Sequence, residues 1–301
     1  MGSVLDTVTA LVDRRLIRST LVQLLAFLAA NGALIITRLG WKSTALWWYA
    51  RSGTEKGALV VATVAVLISA ATALAGQING LLRLYEGYAL PWPLRLAAER
   101  RRTHHVRRFH RLPLDSPLRH TRYPPLIDWF MPSAVGNLLR ASETHAFQCY
   151  RIDSAVVWPR LYAVLPADFK SEFAAARERL DAAVASFTLT LLFVASSTAI
   201  TTLTQPWFVP LATFAFTATV SWVAHRGVFR AAVPYAELVR TAFDLHRGLV
   251  IDAIGWQHPT SYGAERAQWA QICRLWQQGI PDGPIGARAL LYPRSTSEPL
   301  I

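Results

Sequence analysis

Four stretches of this chain, 19–37, 57–76, 183–203 and 207–224, contain no Asp, Glu, Lys, Arg or His. Each is 18 to 21 residues long, and an α-helix needs about 20 residues to cross a hydrocarbon layer of about 30 Å. A backbone in hydrocarbon must satisfy its own N–H and C=O groups, which a helix does within a single segment. The pattern therefore predicts an all-α integral membrane protein with four transmembrane helices. Spans without ionisable groups lack the usual parts of a proton relay, so ion-coupled transport ranks last among the functions considered.

Orientation follows from the basic residues, because Lys and Arg near span ends favour the cytoplasmic side. Segment 77–182 carries 16 Lys and Arg, nine of them between Arg95 and Arg122. Segment 225–301 carries eight and the loop 38–56 carries four, Arg38, Lys42, Arg51 and Lys56. The best solution places both termini inside, with the four helices arranged as two hairpins. The expected parts are a cytoplasmic N-terminus at 1–18, an external loop at 38–56, a cytoplasmic segment at 77–182 and a cytoplasmic helical region at 225–301. The first span is read as retained, because no small-residue cleavage pattern follows it. The expected location is a bacterial cytoplasmic (inner) membrane. Cys149 and Cys273 are too few for a disulfide framework, and a reduced state is expected for both.

Outside the spans the pattern is helical. Phe169, Phe173, Ala176, Leu180 and Phe187 recur at helical spacing, and no Gly or Pro interrupts 168–203. One long helix there could serve as a stalk between domain and membrane. Pro234 suits a helix start. Beyond it, Leu238, Ala242, Leu245 and Leu249 are expected on an apolar stripe, with Glu237, Arg240, Asp244 and Arg247 facing away. A further helix fits 264–278, burying Trp269, Ile272, Cys273 and Trp276. The aromatic segment 40–52 suits a short helix at the outer surface, and 279–301 reads as a loose tail.

Several constellations bear on chemistry. The basic run 95–122, with Arg100, Arg101, Arg102, Arg107, Arg108 and Arg111, is expected to contact anionic lipid headgroups, at about 1 kcal/mol per residue near the surface. Lipid outranks nucleic acid because a span ends close by. Thr190, Ser197 and Thr201 lie on one face of the third span. They fit helix packing, or a pore lining in an oligomer. The densest region, 132–166, contains Arg140 with Glu143 and Asp153 with Arg160, two expected ion pairs in a polar network able to hold a ligand. His145 and Cys149 form half a metal site, and no metal or cofactor is expected.

Within 132–166 the order G-N-x-x-R-x-x-E, then Y-x-x-D, then W-P-R-L resembles a family of uncharacterised bacterial multi-pass membrane proteins. There the first block opens with Pro-Thr and the Tyr precedes Gly, where this chain has Ser133 and Arg151. The resemblance implies the same topology and a shared cytoplasmic element, and it implies no activity.

The leading expectation is a non-enzymatic membrane module whose cytoplasmic helices bind a protein partner or organise an assembly. A homo-oligomer is expected. The alternative is an oligomeric passive pore lined by the third-span stripe and gated through 168–203. A membrane-surface enzyme acting on a lipid or phosphate substrate, using Arg140, Glu143, Asp153 and Arg160, comes third.

Overall fold

The structure, a computed structural model, describes residues 2–88, 92–203, 205–279 and 290, the side chains of 2–19, 92 and 94 excepted. The regular secondary structure of the described residues is helical. The elements are α1 (Gly2–Leu39), α2 (Trp41–Tyr49), α3 (Gly53–Glu86), α4 (Trp92–Arg111), α5 (Pro117–Arg122), α6 (Ala134–Tyr150), α7 (Ser154–Val164), α8 (Ala167–Thr202), α9 (Phe208–Ile254) and α10 (Tyr262–Gln278). A 3-10 turn, Ile127–Trp129, precedes α6. The chain divides into two compact units, residues 1–85 with 174–231 and residues 86–173 with 232–301.

In the first unit α1, α3, α8 and α9 include stretches long and apolar enough to cross a membrane. Their outward surface remains apolar: Val61 is 69% exposed and Phe216 70%. In water such surface costs about 25 cal/mol per Å², whereas lipid tails are as apolar as the side chains themselves. The protein is membrane-embedded. Inside the unit, Leu24 of α1, Leu67 and Ala71 of α3 and Leu189 of α8 form a small core. Phe27 meets Phe193 edge-on with ring centroids 6.3 Å apart.

Three hydroxyls of the third apolar stretch are held by their own helix. Thr190 donates to the Phe187 carbonyl at 2.9 Å and Thr201 to that of Ser197 at 2.8 Å. Ser197 donates to the Phe193 carbonyl, and Ser197, Thr201, Thr217 and Ser221 are all buried. Two residues before the third apolar stretch, Asp181 is also buried. Arg177 Nε lies 3.0 Å from its Oδ1 and 3.1 Å from its Oδ2, while Arg177 Nη2 donates to Asn79 Oδ1 at 2.5 Å. One α3 amide thus helps orient the cation that accompanies a buried carboxylate.

The second unit has the larger core. Ile152, Val157, Leu161, Phe243, Trp269 and Ile272 are fully buried, joined by Phe173, Val250 and Ile251. Side-chain caps start α6, α7 and α10: Ser133 Oγ accepts from Gly136 N, Asp153 Oδ1 from Ala155 N and Ser261 Oγ from Ala264 N. At the other end of α10, Gly279 takes the left-handed conformation with φ 75°. Phe109, Tyr123 and Phe130 form a second aromatic group, in which Tyr123 stacks on Phe130 at 5.3 Å.

Two expectations are corrected here. Pro234 does not start a helix: α9 runs unbroken through it, from Phe208 to Ile254. A proline removes one helical hydrogen bond, and the buried Ala232 and Ala236 beside it hold the helix in place by packing. The apolar stripe beyond it is also rotated from the expected register. Phe243, Val250 and Ile251 are buried while Leu245 is 71% exposed, and Arg240 is turned inward. The expected tail at 279–301 lies outside the described residues, apart from Gly279 and Leu290.

Replacing Arg177 with Met leaves the Asp181 carboxylate buried without its cation. The expected cost is about 3 kcal/mol, read as a lowered melting temperature in detergent. Adding Asp181→Leu should recover most of that loss, and a double variant as unstable as the single one would show that the pair matters for another reason.

Candidate functional site

The site residues are assembled around the two ends of α6. At its start the chain makes a tight corner. Gly87 has φ 105° with the Pro132 ring against it, and an added Cβ would sit 2.4 Å from Pro132 Cγ. Ser133 Oγ donates to the Glu86 carbonyl at 3.0 Å. Asn137, buried, accepts from Met131 N at 2.9 Å and donates to the carbonyls of Met131 at 2.7 Å and Ser133 at 2.9 Å. A Cβ on Gly136 would lie 2.4 Å from the Glu86 carbonyl oxygen. The Gly-Asn pair of the motif region is thus a backbone joint, with each polar group of Asn137 engaged.

At its far end α6 closes in a left-handed αL turn: Arg151 N donates to the Phe147 carbonyl, and Ile152 N to that of Ala146. Arg151 occupies the left-handed position with φ 62°, and it is the non-glycine residue among those described to do so. Glycine would meet no steric penalty there. Ile152 drops into the core with no exposed surface. From α10, Arg266 Nη1 donates to the carbonyls of Gln148 at 3.0 Å and Cys149 at 2.8 Å, and the Tyr262 hydroxyl donates to Cys149 O as well. These groups satisfy carbonyls that a helix end leaves without partners.

Beside this turn lies a polar network that the sequence reading had facing away. Asp244 Oδ1 accepts from the Tyr150 hydroxyl at 2.9 Å and lies 2.8 Å from His145 Nε2. The Arg247 guanidinium stands 3.9 Å from the Tyr150 ring centroid, and its Nε donates to Glu265 Oε1 at 2.6 Å. Cys149 Sγ is 3.8 Å from His145 Nδ1. Thiol, imidazole and carboxylate follow one another in the order used by nucleophilic triads. Burial, and after it the charge of Asp244, pushes the Cys149 thiol up from its ordinary value. The thiolate is the reactive form, so this environment works against nucleophilic use. Burial, and next the bond to Asp244, raises Tyr150 to about 12.

Of the two expected pairs, Arg140 with Glu143 forms. Arg140 Nη1 and Glu143 Oε2 lie 3.4 Å apart, and Arg140 also reaches the Tyr88 hydroxyl at 3.5 Å. Asp153 and Arg160 do not pair. Asp153 caps α7 and takes a bond from Gln277 Nε2 at 2.8 Å, while Arg160 donates to the Val156 carbonyl and covers the Trp276 ring at 4.3 Å. About two helical turns of α7 lie between them, and the α10 side chains supply nearer partners to both. Of the basic run, Arg100, Arg101, Arg107, Arg108 and Arg111 are exposed. Arg102 is half-buried and donates to the Asp128 carbonyl at 2.9 Å, which fixes the 3-10 turn. No group of three or more His, Cys, Asp and Glu able to hold a metal occurs among the described residues.

A cavity of about 510 Å³ opens beside the α6 turn. One wall is a face of α10 carrying Arg266, Ala270, Arg274 and Gln277, and opposite it stand Phe147, Arg151 and Asp153. The α10 residues recur at positions i, i+4, i+8 and i+11, a helical face that the sequence displays. Local sequence rules do not mark Arg151 and Arg266 as neighbours, because the turn that joins them is tertiary. No family model matches the chain, and comparison with curated proteins and solved structures returns no match.

Two outcomes are expected. Gly136→Ala forces the Glu86 carbonyl aside and should cost about 1–3 kcal/mol, the range of overpacking, seen as a lower melting temperature. Tyr150 has a folded pKa of about 12 against an ordinary 10.0. Its contribution to stability is full below pH 10 and is lost as pH rises through 12. Melting curves across that window should fall less steeply for Tyr150→Phe than for the native chain.

Proposed function

We propose that this chain is a non-enzymatic membrane-anchored module, held by four apolar helices, whose helical unit faces the cytoplasm and binds a partner or organises an assembly there. The observation that carries this reading is how the second unit's polar groups are used. Asp244, His145 and Tyr150 bind one another, Arg247 is held by Glu265, and Asp153 caps a helix. Groups committed in this way build a fixed surface. Arg266 uses only its Nη1 in its hydrogen bonds, which leaves it donors to offer a partner. The exposed arginines of α4 would add headgroup contacts that seat the unit at an anionic bilayer. Hydroxyls of Thr190, Ser197 and Thr201 that donate to carbonyls of their own helix support packing over a wetted pore lining.

Two measurements on the full chain test the reading. Purified protein in planar bilayers should give no unitary currents, with insertion verified separately. A photo-crosslinking side chain at Ala270 should give a discrete adduct in native membranes. Currents altered by the combined Thr190→Val, Ser197→Val and Thr201→Val changes, with no adduct at Ala270, would overturn the module in favour of the pore.

A further inference from the structure

Two contacts set the running direction of α8 against α1. Gln23 Nε2 donates to the Ala182 carbonyl at 3.3 Å, and one turn further along α1 Phe27 meets Phe193. Both helices therefore advance the same way. At 1.5 Å per residue, Leu39 closes α1 about 18 Å beyond Phe27, and Thr202 closes α8 about 14 Å beyond Phe193. The connection from α1 to α3 and the turn from α8 to α9 thus lie at one end of the first unit and at nearly one height.

Both connections carry aromatic rings that the protein leaves uncovered. In α2, Trp41, Trp47, Trp48 and Tyr49 are exposed, and Thr44 and Ala45 alone are half-buried. Trp207 of the second connection is 79% exposed and stands edge-on to Phe208. The α2 segment is nonetheless held in place. Gly40, with φ 84°, turns the chain out of α1. Ser52 N donates to Glu55 Oε2 at 2.8 Å while Glu55 N donates back to Ser52 Oγ at 3.2 Å, a reciprocal cap at the start of α3. Arg51 lies over the Trp47 ring at 4.9 Å and Lys56 over that of Trp48 at 5.8 Å. A fixed segment displaying four rings that pack on no core marks a contact site for a surface outside the chain.

The surface these rings continue says what covers them. Leu39 before α2, and Leu59, Val60 and Val61 after it, are exposed along helices whose apolar stretches face lipid. Trp and Tyr concentrate where hydrocarbon gives way to headgroups, because there the ring meets apolar matter and its polar edge meets water.

We infer that α2 and the Trp207 turn form one aromatic platform seated in the headgroup zone of a single leaflet, with α2 lying in the membrane plane. Its occupant is phospholipid. The rings take the glycerol and upper acyl level, and Arg38 and Lys42, both exposed, reach lipid phosphates. Arg51 and Lys56 hold the Trp47 and Trp48 rings in orientation. The platform fixes how deep both hairpins sit, and it stands whether or not the second unit binds a partner.

Spin labels on the full chain in phosphatidylcholine–phosphatidylglycerol vesicles test this arrangement. Single cysteines replace the exposed Leu46, Leu203 or Val66 in a Cys149→Ala background, where the remaining Cys273 is buried. Depth is read from collisions with oxygen against those with a water-soluble nickel chelate. The labels at Leu46→Cys and Leu203→Cys should lie within about 5 Å of one another, about 15 Å from the bilayer midplane. Val66→Cys should lie much nearer the midplane than either. Brominated lipids supply a readout without labels: the combined Trp41→Phe, Trp47→Phe and Trp48→Phe changes should remove more of the fluorescence quenched by shallow bromines than by deep ones. Nickel access at Leu46→Cys equal to that of a label in water overturns the platform, as do depths at Leu46→Cys and Leu203→Cys on opposite sides of the bilayer. Unchanged shallow quenching in the triple variant does the same. Spin–spin broadening at Leu46→Cys that vanishes on dilution with unlabelled chain also overturns it, because a second copy then covers the rings.

Discussion

The second unit depends on how α6 ends. A helix leaves its last carbonyls without partners, and here they are taken by Arg266 and Tyr262 from α10, more than a hundred residues later in the chain. That bonding pins α10 across the α6 terminus. It brings Tyr150 and His145 to a common oxygen of Asp244 and lets the turn drop Ile152 into the core between Trp269 and its neighbours. Core packing and the polar network are therefore consequences of one joint. An amide at Cys273 makes the same point at small scale: Asp153 N donates to its sulfur at 3.3 Å, so even the buried thiol serves the turn.

The first unit solves a different problem. In hydrocarbon the apolar side chains give little drive for one helix to seek another, so close approach and internal polar bonds carry more of the work. Ala71, Ala185, Ser197 and Thr201 are buried there, and small residues of this kind let backbones come near. Ser197 and Thr201 each donate to a carbonyl of their own helix, so neither needs water or a partner across the interface. Asp181 is the costly exception, and its arrangement with Arg177 and Asn79 shows the condition under which a charge is retained beside the membrane.

Much of this was legible in the sequence where one local rule acted alone. Charge-free stretches of span length gave four long helices, and an uninterrupted amphipathic pattern over 168–203 became Ala167–Thr202. Trp269, Ile272 and Cys273 fell on the buried face of α10 as their spacing required. The failures arose where a tertiary partner overrode a local preference. The amphipathic reading of α9 sent Arg240, Asp244 and Arg247 to solvent, yet their partners come from Thr121, His145, Tyr150 and Glu265. Asp153 and Arg160 were expected to pair across a turn, but α7 carries them about two helical turns apart, and an amide and an indole ring of α10 engage them instead. Pro234 is a helix breaker by propensity, and the packing of its neighbours in a 47-residue helix exceeded that preference.

The arginines beside α10 are the part of the unit that local rules and core packing do not require. Like charges placed around one cavity repel, and screening by water weakens but does not remove that cost. Across the second unit arginines are committed or in open solvent: Arg247 has Glu265, Arg160 has a ring, Arg266 holds the α6 end, and Arg107 and Arg108 of α4 stand exposed. A fold needing only a cap for α6 would be satisfied by Arg266 alone. Arg151 adds a second positive charge at the one position in the turn where its own backbone is disfavoured. Repulsion among them is met in part by the Asp153 carboxylate, which lines the same cavity.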